Sequence, residues 1–149
     1  MNTDIIGILN KHGVGVLQLP CPEMSCLGLP RSRPKGLSIR DVLDTPDGRK
    51  CCRQLSISVV DQIHEYVKHN SKVLAILGGD AGSPGCAVHI SSEDTANQTL
   101  ADKSGVFMKE LETELRERNI KVPFRGIRDS SREMLKQDVA WLDNLLTER

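Results

Sequence analysis

Three short apolar runs, each separated from the next by a helical pattern, set the strongest limit on how this chain folds. The runs are residues 14–19 (VGVLQL), 72–77 (KVLAIL) and 122–127 (VPFRGI). Between and around them, apolar residues recur at three- and four-residue steps, which is typical of amphipathic helices. Such alternation favours a parallel sheet wrapped by helices. We therefore predict the α/β class, with one domain over residues 1–149: a three-layer, Rossmann-like domain whose small parallel sheet is flanked by helices.

Two of the five cysteines follow closely on predicted strands. Cys21 comes two residues after the run 14–19, and Cys86 follows the run 72–77 across a glycine-rich loop. In open α/β sheets, ligands bind in the crevice beyond the carboxyl ends of the strands. We therefore expect the two thiols to lie close together and to share one site at that edge of the sheet.

The residues around these two cysteines are suited to acid–base chemistry. Pro22 fixes the turn after Cys21, and Glu23 places a carboxylate within reach of a substrate proton. The other interpretation of this segment is a buried cysteine beside a solvated glutamate. Residues 78–86 read GGDAGSPGC, and four glycines let a backbone approach a ligand and expose its amides to an anion. Ser83 is a candidate proton relay there, although a glycine-rich turn without a ligand has the same composition.

The other cysteines are weaker candidates. Cys26 lies five residues after Cys21, and either Cys26 or Cys51 is a candidate third metal ligand. Cys51 and Cys52 are predicted near the start of a helix, where the helix dipole lowers a thiol pKa. Cys52 fits the apolar stripe of that helix, so we predict that it belongs to the core.

One histidine and one basic loop complete the set of candidates. His89 follows Cys86 by three residues and is the histidine nearest to the predicted site. Arg31, Arg33 and Lys35 form a small basic loop after Cys21. This loop serves either solubility or the binding of a substrate carboxylate or phosphate.

Charge and cysteine usage exclude several classes of function. Lysine plus arginine equals aspartate plus glutamate, 20 each, so the net charge of zero argues against a nucleic-acid partner. No apolar run is long enough to span a membrane, and the first residues do not resemble a signal peptide. We expect a cytoplasmic protein. An odd number of cysteines in that compartment argues against a disulfide framework.

The two cysteine segments resemble those of the thiouracil desulfidase group, in particular its shorter desulfidase-related branch. The similarity rests on QLPCPEMSCLGLPR, on the GSPGC loop and on VPFRGI, and it extends over residues 5–127. It implies a [4Fe–4S] cluster held by three cysteines, whose open iron takes the sulfur of a thiolated base and leaves oxygen in its place. Carried to this chain, Cys21 and Cys86 match two cluster ligands, and Glu23 and Ser83 are the candidate acid–base residues.

The chain departs from that family pattern at several positions. The family's further cysteine, at the end of a first strand, has no counterpart before Thr3. Gly85 and Ala87 stand where the family has serine and glycine. Three explanations stay open: a truncated form, a third ligand supplied by Cys26 or Cys51, or a lost cluster. Without a first strand, we expect one sheet edge to be exposed or covered by a second copy in a homodimer.

Three functions compete at this stage. The first is an iron–sulfur desulfidase that acts on a small thiolated compound. The second is a non-enzymatic, Rossmann-like module that holds a small anion, and the third is a degenerate relative without a cluster. In each case the expected partner is a small molecule rather than a nucleic acid or a membrane. The polar, aperiodic residues 91–103 are predicted to form a lid over the site.

Overall fold

Six helices and two short strands make up the described part of the chain, residues 2–89 and 100–148 of a computed structural model. In chain order these are α1 (Thr3–Lys11), α2 (Pro22–Leu27), α3 (Ile39–Leu43), α4 (Pro46–Lys68), β1 (Ile76–Gly78), α5 (Val106–Glu117), β2 (Phe124–Gly126) and α6 (Arg132–Thr147). The α/β class is confirmed. Residues 91–99 of the predicted lid lie outside the described residues.

The longest helix, α4, begins and packs as its sequence predicts. The Thr45 hydroxyl caps it by accepting a hydrogen bond from the Gly48 amide, and Pro46 occupies its first turn. Its buried stripe, which includes Val59, Val60 and Ile63, packs chiefly against α5. The other face of α4 is polar, and no helix in the described residues is long and apolar enough to cross a membrane.

The two strands pair in parallel and carry helices on both faces. Ile76 lies opposite Phe124, and Gly78 lies opposite Gly126. Ile76 and Phe124 belong to the main core, together with the stripes of α4 and α5. The next residue along β1, Leu77, packs instead with the buried residues of α1 and α6. Because successive strand side chains point to opposite faces, the two helix pairs lie on opposite sides of the sheet.

The predicted strands are shorter than expected, and one is not formed. Strands form at 76–78, which begins within the run 72–77 and ends one residue beyond it, and at 124–126, within the run 122–127. Residues 14–19 lie outside any strand, and Val16 is 59% exposed. A strand needs a neighbour for its N–H and C=O groups, and within the described residues no main-chain bond links this run to the sheet. The prediction of a buried strand at 14–19 is therefore wrong.

A buried carboxylate fastens α6 to the end of the sheet. Asp138 is fully buried, and its oxygens accept hydrogen bonds from the Arg125 Nε at 2.8 Å and from the Arg128 amide at 2.9 Å. The Arg128 Nη2 approaches the same carboxylate at 2.6 Å. Arg125 also lies over the Trp141 ring, 5.6 Å from its centroid. These contacts hold the end of β2 and the residues that follow it against α6.

Removing this carboxylate is expected to destabilise the fold strongly. Asp138→Ala leaves two buried guanidinium groups without their shared acceptor, so we expect a loss of about 3–5 kcal/mol in unfolding free energy. The matched control on the same helix is Asp143→Ala, which removes a solvent-accessible partner of Lys11 and His12. Urea unfolding followed by circular dichroism measures both changes. A loss from Asp138→Ala no larger than that of the control contradicts this account.

Candidate functional site

The two predicted cysteine motifs meet through a direct contact between Pro22 and Gly85. A Cβ atom placed on Gly85 would overlap the Pro22 ring, so only glycine allows this approach. Pro22 is buried at the first position of α2, and Gly85 lies in the loop that follows β1. Helix α2 and that loop are therefore held together. Cys21 directly precedes Pro22 in the chain, and Cys86 directly follows Gly85.

Cys86 is a partly buried thiol with a hydroxyl partner. Its Sγ lies 2.8 Å from the Ser83 Oγ. Burial raises the pKa of the Cys86 thiol, and the hydrogen bonds from Ser83 and from the Gly79 amide oppose that rise. Nearby Glu23 and Cys21 raise this pKa further through their negative charge. At neutral pH Cys86 is therefore protonated and able to donate a proton.

Cys21 is an exposed free thiol beside an ion pair. The Arg31 Nε donates a hydrogen bond of 2.9 Å to the Glu23 carboxylate. This bond is the main reason that the pKa of Arg31 is raised, and Cys21 adds a smaller contribution of the same sign. Arg31 also has a positive φ of 52°, an uncommon conformation for a residue with a side chain. The guanidinium thus pairs with the Glu23 carboxylate in the neighbourhood of the Cys21 thiol.

The glycine-rich loop is explained by packing at three of its glycines. A Cβ on Gly79 would lie 2.6 Å from the Cys86 sulfur, and one on Gly78 would lie 2.6 Å from the Cys86 carbonyl oxygen. At Gly85 the Pro22 ring occupies the space where a Cβ would lie. Of the four glycines, only Gly82 faces open space. These glycines therefore bring Cys86 close to its neighbours. The predicted anion-binding nest receives little support from this geometry.

Cys26 and Cys51 form a disulfide that the sequence argument rejected. Their Cα atoms are 5.9 Å apart, and the bond joins α2 to α4. The expectation that the chain lacks disulfides is therefore wrong. Cys51 lies inside α4 rather than at its start, so the argument from the helix end does not apply. Cys52 is a core residue, and burial raises the pKa of its thiol to about 11.

The remaining candidates take no part in the cysteine site, apart from Arg31. His89 is buried and its ring lies against Gly126 of β2. A Cβ on Gly126 would lie 2.7 Å from that ring. The Arg33 Nε donates to the Leu37 carbonyl at 3.0 Å and so stabilises its own loop. Asp80, not identified from the sequence, accepts a bond of 2.8 Å from the Ser130 amide and ties the cysteine loop to the turn before α6.

The described residues do not fit a cluster held by three cysteines. Cys21 and Cys86 are the free thiols at the site, whereas the sulfurs of Cys26 and Cys51 are bonded to each other. Among the residues that the structure describes, no group of three His, Cys, Asp or Glu side chains is arranged to hold a metal ion. A third thiolate, which an open-iron cluster requires, is not provided by this arrangement.

Comparison with known proteins identifies one distant relative. The chain is 28% identical over 117 residues to "Uncharacterized protein MJ0003" of Methanocaldococcus jannaschii. The match covers 78% of this chain and 64% of the relative, so the chain spans less than two thirds of that protein's length. No family model and no solved structure matches the chain.

Filling the contact between the two motifs is expected to destabilise the protein. Gly85→Ala forces a methyl group into Pro22, and overpacking of this kind costs about 1–3 kcal/mol. Gly82→Ala is the matched control in the same loop, because nothing lies within 4 Å of its added Cβ. Urea unfolding compares the two variants. Equal stability of both variants would show that the Pro22–Gly85 contact is not tight.

The Ser83 hydroxyl is expected to control how fast Cys86 reacts. Its hydrogen bond lowers the Cys86 pKa, so Ser83→Ala should raise that pKa further and slow iodoacetamide alkylation at pH 8. Ser83→Thr keeps the hydroxyl and serves as the control. Peptide mass mapping measures Cys86 separately from Cys21 across pH 7 to 10. If the pH dependence of Cys86 alkylation is the same in Ser83→Ala as in the parent, Ser83 does not influence the Cys86 thiol.

Proposed function

We propose that this chain is a desulfidase that removes sulfur from a small thiolated compound, such as a cyclic thioamide of the thiouracil type. The observation that supports this best is the group formed by Cys21, Glu23 and Arg31, next to the Cys86–Ser83 pair across the Pro22–Gly85 contact. One exposed thiol, one protonated thiol and one carboxylate are the groups that nucleophilic displacement of sulfur requires. Since the residues do not fit a cluster, the proposed reaction is hydrolytic and uses none.

In the first step, the Cys21 thiolate adds to the carbon of the C=S group. A carbon–sulfur bond to the enzyme forms, the substrate's own carbon–sulfur bond breaks, and hydrogen sulfide leaves. Its protons come from the Cys86 thiol and from the substrate nitrogen, and the product of this step is a covalent thioimidate on Cys21. Cys86 suits the role of donor because burial keeps it protonated at neutral pH.

In the second step, water adds to the same carbon and Glu23 takes its proton. Cys21 then leaves as the thiolate and the carbonyl product is released. The Glu23 proton returns to Cys86 through solvent. Across both steps one water is consumed and one hydrogen sulfide is released, without any net transfer of electrons. Arg31 positions Glu23 through its hydrogen bond, and its positive charge lies near enough to Cys21 to attract a thiolate there.

The wider setting of this site is also a proposal. We propose that the domain is a three-layer, Rossmann-like fold, and the helices on both faces of the parallel pair support this. We further propose a cytoplasmic location for the protein. The balanced net charge supports a small-molecule substrate over a nucleic acid.

The proposal predicts cluster-independent release of sulfide from 2-thiouracil. The parent protein, purified with and without anaerobic iron–sulfide reconstitution, is incubated with 2-thiouracil in ¹⁸O-labelled water. Sulfide and labelled uracil are then quantified by mass spectrometry. We expect equal turnover in both preparations, and fewer iron atoms bound per chain than one [4Fe–4S] cluster contains. Cys21→Ser removes the nucleophile and should abolish turnover, and Glu23→Gln should lower it by about 10²–10⁴-fold.

A covalent readout separates the two steps. Glu23→Gln should accumulate the thioimidate on Cys21, visible as a mass increase on the peptide that carries it. Glu65→Gln, a largely exposed carboxylate on α4, is the control and should leave the rate unchanged. Turnover that requires bound iron, and that Cys26→Ser or Cys51→Ser abolishes, would contradict the hydrolytic scheme and assign one of these cysteines as a third ligand.

A further inference from the structure

We propose that the Cys26–Cys51 disulfide is a reversible redox switch that holds Arg31 against Glu23 beside the Cys21 thiol, and that a small thiol of the glutathione type is its reductant. The bond joins α2 to α4, with the two Cα atoms 5.9 Å apart. Cys21 lies directly before α2, and Cys26 is the fifth of its six residues. One short helix therefore connects the disulfide to the exposed thiol. The proposal does not depend on the reaction proposed above.

The disulfide fixes the base of the turn that presents Arg31. This turn begins where α2 ends, two residues after Cys26, and the Gly28 carbonyl accepts a hydrogen bond of 2.9 Å from the Arg31 amide. The Arg31 Nε reaches back to the Glu23 carboxylate at 2.9 Å. The Arg31 side chain is 40% exposed, and an ion pair this accessible to water contributes little stability by itself. A covalent anchor at the base of the turn keeps the guanidinium in place, because it removes freedom that an open loop would have.

Loss of this anchor changes the charge around Cys21 in one direction. The hydrogen bond to Glu23 is the main reason that the pKa of Arg31 is raised, and the charge of the nearby Cys21 adds to the rise. This attraction is mutual, so a fixed guanidinium favours the thiolate of Cys21, which is the reactive form. When the bond is reduced, Glu23 stays on α2, two residues from Cys21, whereas Arg31 is free to move away with its turn. The surroundings of Cys21 become more negative, and the thiol reacts more slowly.

The bond lies where it can open without unfolding the core. Cys26 and Cys51 are both partly exposed, which gives a small thiol access, whereas the adjacent Cys52 is fully buried. Helix α2 keeps two contacts that do not involve the bond, because Pro22 is buried against the cysteine loop and Leu27 packs against the main core. Reduction therefore releases one end of α2 and leaves the helix seated. A local change of this kind is what a redox switch requires.

The chemistry of the switch is a thiol–disulfide exchange. A glutathione thiolate attacks one sulfur of the disulfide, the Cys26–Cys51 bond breaks, and a mixed disulfide forms. A second glutathione then releases the second protein thiol. Two glutathione thiols thus become one glutathione disulfide, and the protein gains two electrons and two protons. In the cytoplasm, the location proposed above, protein disulfides are usually transient and serve catalysis or redox sensing, which favours a switch over a permanent cross-link.

Alkylation of Cys21 in the two redox states tests the proposal. The parent protein is equilibrated in glutathione buffers of different thiol-to-disulfide ratio, freed of glutathione, and treated with iodoacetamide at neutral pH. Cleavage after Glu23 separates Cys21 from Cys26, and mass spectrometry then measures each peptide. We expect the disulfide to open and re-form reversibly. We also expect Cys21 to react about two- to fivefold more slowly in the reduced protein, which is the scale of one water-accessible charge interaction.

Protein variants identify the route from the disulfide to the thiol. The double variant Cys26→Ser, Cys51→Ser should show the slow Cys21 rate in every buffer. Arg31→Met should also be slow in every buffer, because the charge that the disulfide positions is gone. Lys35→Met removes an exposed cation from the same loop and should keep the full redox response. Circular dichroism confirms that each variant folds, and should the double variant fail to fold, the parent and the two loop variants decide.

Three results would overturn the proposal. The first is a disulfide that glutathione does not reduce in the folded protein, which would make the bond a permanent cross-link. The second is an equal rate of Cys21 alkylation in the two redox states. The third is a redox response that survives in Arg31→Met or is lost in Lys35→Met. A lack of 2-thiouracil turnover would overturn the proposed reaction but not the switch, because alkylation requires no substrate.

Discussion

The direct backbone contact between the cysteine loop and the start of α5 is the constraint on which the rest of the molecule depends. The Pro84 and Gly85 carbonyls accept hydrogen bonds from the first amides of α5, at 3.2 and 3.0 Å. A Cβ on Gly105 would overlap the Gly85 carbonyl, so the two backbones touch with no side chain between them. On its other side Gly85 receives Pro22. One loop thus anchors α5, positions Cys86 and fixes the helix that follows Cys21, so the fold and the site have the same origin.

The long amphipathic helices could be predicted from the sequence because their signals are local. The stripe of α4 needed only the periodicity of its apolar residues. The strands could be predicted only in part: two runs form strands shorter than expected and the run 14–19 forms none, because an apolar run becomes a strand only where a neighbour pairs with it. Helix α2 was missed although its signal was present, since Pro22 followed by Glu23 is a typical helix start.

The candidate site shows the same division between local and non-local information. The sequence singled out Cys21, Glu23, Ser83 and Cys86, and the structure brings their two motifs into contact. The sequence could not show that Arg31, eight residues beyond Glu23, turns back and binds that carboxylate. This contact depends on the left-handed backbone of Arg31 itself, in a loop. The Cys26–Cys51 bond was equally hidden, since sequence spacing does not give the Cα separation that a disulfide requires.

The same disulfide closes a covalent ring around an exposed stretch of chain. Residues 28–38, which are exposed apart from Arg31, lie wholly between Cys26 and Cys51. A protease that cuts one peptide bond in this stretch therefore leaves the two parts of the oxidised chain covalently joined. In the reduced chain, the same cut separates α1 and α2 from everything that follows. The redox state of the surroundings thus decides the effect of a cut in this loop. Under oxidising conditions the fragment that carries Cys21 stays covalently attached, and under reducing conditions that covalent link is lost.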